Sequence, residues 1–166
     1  MLKKLLIGSL LFGLAVPALS VAQSRALGTF TGTDIQQFCR GAWLNGDDSD
    51  QRLYAACLLE QDQALARIQA DNGRYSNQDF YRGIAMPYCR SAQNQSEPLN
   101  LVQLSLCLED EIDGYQDIQD LRRRYGGNHI DSETNQALAA SGSWAAAAGL
   151  VRRTTNLKTI RRGDTS

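Results

Sequence analysis

Apolar residues recur through the middle of the chain at helical spacing. Ile35, Phe38, Cys39, Ala42 and Trp43 stand at i, i+3, i+4, i+7 and i+8, one stripe of a helix, and Thr33 to Gln36 has the form of a capping box ahead of it. The pattern predicts a first helix over 33–44. A second fits 49–70, with Leu53, Ala56, Cys57, Ala64 and Ile68 facing inward and Asp71-Asn72-Gly73 as its stop. Ser76 and Asp79 cap a third, in which Phe80, Ile84 and Tyr88 share a face and Pro87 forces a kink or an interruption. The fourth starts near Pro98 or Leu99 and continues towards Tyr125, carrying Leu101, Leu104, Leu108, Ile112 and Tyr115, with Gly126-Gly127 at its exit. No stretch of alternating β-branched residues competes, so the expected fold is all-α.

The four cysteines organise these helices. Cys39 and Cys57 are repeated by Cys89 and Cys107 at an offset of 50 residues, and the surroundings repeat with them. Phe38-Cys39-Arg40-Gly41-Ala42 matches Tyr88-Cys89-Arg90-Ser91-Ala92, Cys57-Leu58 matches Cys107-Leu108, and Ile68 matches Ile118. This reads as an internal duplication. Four cysteines allow three connectivities. Each pair straddles a turn signal, Asn45-Gly46-Asp47-Asp48 or Gln95-Ser96-Glu97-Pro98, and two helices folded back there bring equidistant residues together. The expected bonds are therefore Cys39–Cys57 and Cys89–Cys107, each worth about 3 kcal/mol on a chain-entropy estimate. A metal or redox role has less support: no Cys-x-x-Cys occurs, His129 is the one histidine, and no cofactor is expected.

The N-terminus has a different pattern. Lys3 and Lys4 precede an apolar stretch from Leu5 to Val16, followed by Pro17 and small residues, the form of a secretory signal peptide with cleavage after Ala22. The stretch is short for a membrane span. Export, with the periplasm favoured over the medium, also suits a disulfide framework. The expected organisation is a leader over 1–22, a duplicated helical hairpin domain over 23–127, and an alanine-rich segment with a flexible basic tail over 128–166. In that last segment Gly142-Ser143 breaks one or two short helices, and Trp144 anchors them on the body.

Composition adds the charge distribution. Residues 23–120 carry seven arginines against fifteen acids, whereas residues 121–166 carry eight basic residues against three acids. The halves can attract each other, or the basic end can meet an anionic partner. Arg152, Arg153, Lys158, Arg161 and Arg162 are the candidate partner-binding residues. They are interleaved with Thr and Asn, which suits an envelope protein or an anionic polymer better than nucleic acid. Arg122-Arg123-Arg124 has a sufficient structural reason in complementing the end of the fourth helix.

Two chemical readings compete with simple recognition. Glu109, Glu111, Asp113, Gly114 and Asp120 occupy positions 1, 3, 5, 6 and 12 of an EF-hand-like calcium spacing, although an acidic, solvated helix face accounts for the same residues. Glu109 and Asp113, one helical turn apart, also have the spacing of a carboxylate pair. His129 in a loop, with Asp131 or Asp110 as partner, would serve a small periplasmic hydrolase or lyase. No Gly-x-Ser-x-Gly elbow, His-Glu-x-x-His or phosphate loop accompanies it.

The layout of paired cysteines on helices in a small exported chain resembles that of lysozyme-inhibitor-type periplasmic proteins. The resemblance covers the two cysteine units, the intervals here are longer, and no functional residue carries over. The expected function is an exported, non-enzymatic helical binding module, an inhibitor or an envelope-complex subunit. The hydrolase or lyase built on His129 is the alternative.

Overall fold

Helices occupy nearly all of what the computed structural model describes, residues 32–44, 50–93 and 99–163, with side chains through residue 156. Among these residues there are six α-helices and no strand: α1 (Gly32–Trp43), α2 (Gln51–Tyr75), α3 (Met86–Ser91), α4 (Leu101–Tyr125), α5 (Gly127–Ser141) and α6 (Trp144–Gly163). None is long and apolar enough to cross a membrane. The expected leader and both turn signals lie outside the described residues.

Capping sets where the long helices begin. The Asp50 side chain accepts from the backbone N–H groups of Arg52 and Leu53 at 2.9 and 3.1 Å, and that of Asn100 accepts from Gln103 at 3.2 Å. The Asp71-Asn72-Gly73 stop does not act. α2 runs on to Tyr75, whose ring packs on Phe80 and Tyr81 at centroid distances of 5.6 and 6.0 Å, and this tertiary contact overrides the weak local preference. Pro87 is absorbed by a π-helical turn, Tyr81–Ala85, in which the Met86 N–H reaches back to the Tyr81 carbonyl before α3 begins.

Both expected disulfides form. Cys39–Cys57 ties α1 to α2 and Cys89–Cys107 ties α3 to α4, with a Cα–Cα distance of 5.7 Å in each. The chain is drawn together at both hairpin ends. The Asp50 N–H donates to the Trp43 carbonyl at 3.3 Å, and the Gln93 amide bridges both backbone groups of Asn100 at 3.0 and 3.2 Å.

The 50-residue offset extends to the helices themselves. α2 and α4 each have 25 residues, with Cys57 and Cys107 at the seventh position and buried Ile68 and Ile118 at the eighteenth. Gln61 and Glu111 share the eleventh, and each reaches the start of the next long helix. The Leu101 N–H donates to Gln61 Oε1 at 2.8 Å, while the Gln61 amide donates to Asn100 Oδ1 at 3.2 Å. The Trp144 N–H donates to Glu111 Oε2 at 2.7 Å, and the Ser143 hydroxyl donates to Glu111 Oε1 at 2.5 Å. Consequently α2, α4 and α6 form a staircase of helices running the same way, each starting beside the eleventh residue of its predecessor.

The C-terminal third differs from the expected one or two short helices. α5 and α6 are 15 and 20 residues long, joined through Gly142 at φ 67°, and the backbone is helical through Gly163. Packing explains the length: Ala147, Ala148, Val151 and Thr155 are buried along one face of α6. Trp144 anchors this layer, meeting Tyr115 edge-on at 5.0 Å, while Tyr115 stacks on Phe80 at 3.8 Å. Gly114 permits the approach, because a Cβ there would lie 2.5 Å from the Ala145 backbone nitrogen.

Candidate binding surfaces

The first candidate is an apolar groove at the rim of the first hairpin. Phe38, Ala42 and Trp43 of α1 face Leu53, Ala56 and Glu60 of α2, with Asn100 and Val102 closing one side, around a volume of about 340 Å³. The sequence pattern turns Leu53 and Ala56 inward and places Trp43 in the buried stripe. Trp43 and Leu53 are instead each 41% exposed. The helical period predicts one wide inward stripe, but among the described residues α1 packs mainly on α2, burying Ile35 and Cys39 and leaving Trp43 at its end exposed. The groove's floor is fixed by the Cys39–Cys57 bond and by buried Gln61.

The second is a charged cleft of about 330 Å³ between α2 and α4. Arg67, Asp71 and Arg74 line one wall, and Glu109, Asp113 and Gln116 the other. Burial pushes the Asp71 carboxyl above the usual aspartate range; Arg74 opposes the shift and Glu109 adds to it. Burial, with a smaller contribution from Asp71, also pushes the Tyr81 phenol well up. The Tyr81 hydroxyl is buried without a hydrogen-bond partner among the described residues.

The calcium-like spacing lies along unbroken α4, so these residues are not wrapped into a loop. Glu109 and Asp113 line the charged cleft, Asp120 pairs with Arg123, and Glu111 is 1% exposed, capping α6. The solvated acidic face expected as the alternative therefore needs correction at Glu111. Gly114 is a helix-contact residue and turns nothing. Among the described residues no group of three or more His, Cys, Asp and Glu side chains is placed to hold a metal.

His129 and Asp131 sit near the start of α5, not in a loop, and do not face each other. His129 Nε2 lies 3.2 Å from Glu133, whereas Asp131 is held by Arg122 at 2.8 and 3.2 Å. Asp110 is exposed on α4.

Among the described residues the basic segment engages the acidic body where Arg152 pairs with Asp117 of α4. Arg153 is exposed on α6, and the side chains of Lys158, Arg161 and Arg162 lie outside the described residues. The helical period of α6 could not reveal the Arg152 pairing, because its partner stands 35 residues earlier. Charge asymmetry between the halves was the available signal.

The chain matches no protein-family model, no curated protein and no solved structure.

Proposed function

We propose that this chain is an exported, non-enzymatic binding module that recognises a partner protein through the first hairpin. The observation that carries this reading is the apolar groove, in which Trp43 and Leu53 remain exposed on a scaffold held by a disulfide. Large apolar side chains clustered in a concave surface mark interaction sites, and tryptophan is prominent among residues that dominate binding energy. Glu60 on the groove wall favours a segment that brings an apolar anchor beside a lysine or arginine. Export is supported by the leader-like N-terminus and by the disulfides, which suit an oxidising compartment.

The test is affinity capture from an envelope extract by the parent protein and by Trp43→Ala and Leu53→Asp variants, with disulfides confirmed by mass spectrometry. One protein retained by the parent and lost by both variants supports the reading. Retention unchanged by either substitution, or no retained protein, overturns it.

A further inference from the structure

We propose a second docking surface on the second hairpin, so that the partner engages both hairpins with one amphipathic helix bearing two apolar-and-basic anchors. The inference rests on the binding-module reading and extends it by the 50-residue offset. Position by position, Phe38 corresponds to Tyr88, Ala56 to Leu106 and Glu60 to Asp110, each at the same sequence distance from its cysteine, and the last two pairs also at the same place relative to the starts of α2 and α4. The anchors are redistributed. Trp43 and Leu53 become Gln93 and Gln103, while Tyr88 is 37% exposed and Leu106 is 52% exposed. Both surfaces thus keep an aromatic residue beside the cysteine, an exposed aliphatic residue and one acid.

The staircase sets the distance between them. Gln61 stands beside the first residue of α4, so equivalent points are shifted by ten residues along the helix direction. That shift is about 15 Å, and neighbouring helix axes lie about 9 Å apart. Together they separate the surfaces by about 17 Å, close to three turns of a partner helix at about 5.4 Å each. Two anchors about eleven residues apart fall on one helix face, and a lysine or arginine beside each meets Glu60 and Asp110. A helix laid into a groove between helices is an established recognition mode.

The test uses synthetic helical peptides in isothermal titration against the full mature protein. One carries two leucine-and-lysine anchors three turns apart, a second carries one anchor, and a third replaces lysine by glutamate. The two-anchor peptide should bind at least about tenfold more tightly than the one-anchor peptide. Leu106→Asp, an exposed position checked for folding by circular dichroism, should reduce it to the one-anchor affinity, and the glutamate peptide should bind least. Equal binding of the one- and two-anchor peptides, unaffected by Leu106→Asp but lost with Trp43→Ala, removes the second surface and leaves the first. Absence of binding by every peptide overturns both, as does self-association of the protein blocked by Leu106→Asp, which would make a second copy the occupant.

Discussion

At the scale of single residues, the most informative pair is Gln61 and Glu111, which do the same task with different chemistry. Asn100 Oδ1 already accepts from the Gln103 N–H, so the residue facing it must donate, and a glutamine amide does. Ser143 has a hydroxyl to donate, and a carboxyl group accepts from it and from the Trp144 N–H together. Glu111→Ala should therefore destabilise by about 2–4 kcal/mol, since it strands two donors and opens a cavity. Glu111→Gln and Ser143→Asn should each cost about 1–2 kcal/mol. The double variant recreates the first hairpin's arrangement and should be more stable than the sum of the two, read from a double-mutant cycle of urea denaturation. Additive losses would mean the two sites are not interchangeable. Asp71 gives a pH signature. Its folded-state pKa lies above the unfolded value, so the folded protein holds the proton more firmly and this group's contribution to stability declines as pH rises through that window. Asp71→Asn should melt higher than the parent at neutral pH, with the difference vanishing below the ordinary aspartate pKa of about 3.9. A pH-independent difference would remove this account.

At the scale of elements, the closeness of α4 to α6 is set by one glycine, and two substitutions separate that effect from helix propensity. Gly73 lies inside α2, where an added Cβ would meet nothing within 4 Å, so Gly73→Ala should stabilise by about 0.5–1 kcal/mol. Gly114→Ala gains the same propensity but drives a methyl group into the backbone of Trp144 and Ala145, and should cost about 1–3 kcal/mol net. Thermal melts of the two variants moving in opposite directions would confirm that helix contact governs position 114. The helices of the two hairpins and both disulfides are legible in the sequence, because a 3.6-residue apolar period and a turn between paired cysteines are local signals. The end of α2 is not, because Tyr75 is held by Phe80 and Tyr81 after the chain has turned. For the same reason the calcium-like spacing in α4 is ambiguous: one dimension of sequence cannot tell a carboxylate ligand from a carboxylate cap whose partner, Trp144, lies 33 residues on. The exposure of Trp43 is equally hidden, since it depends on how much of α1 the other helices cover.

At the scale of the whole molecule, α4 belongs to the second disulfide-linked pair and also packs on α2, α5 and α6, and the pair formed by α5 and α6 has no crosslink among the described residues. It is nevertheless built into the fold. Ile118 and Leu121 of α4 share a buried cluster with Ile130, Ala147, Ala148 and Val151, and Trp144 joins that cluster to the core of the hairpins. Ending the chain at Gly127 would expose Ile118 and Leu121 at about 2 kcal/mol each, and would leave Glu111 buried on one side without the two donors that face it. The truncated protein should consequently melt at lower temperature and bind a hydrophobic dye, although both disulfides remain intact. Trp43 and Leu53 lie on the opposite hairpin, so peptide binding at the groove should fall only in proportion to the fraction unfolded. A truncated protein that keeps the parent's melting temperature and cooperativity would instead make α5 and α6 a separate unit. Loss of peptide binding in the still-folded fraction would place part of the recognition surface on those two helices.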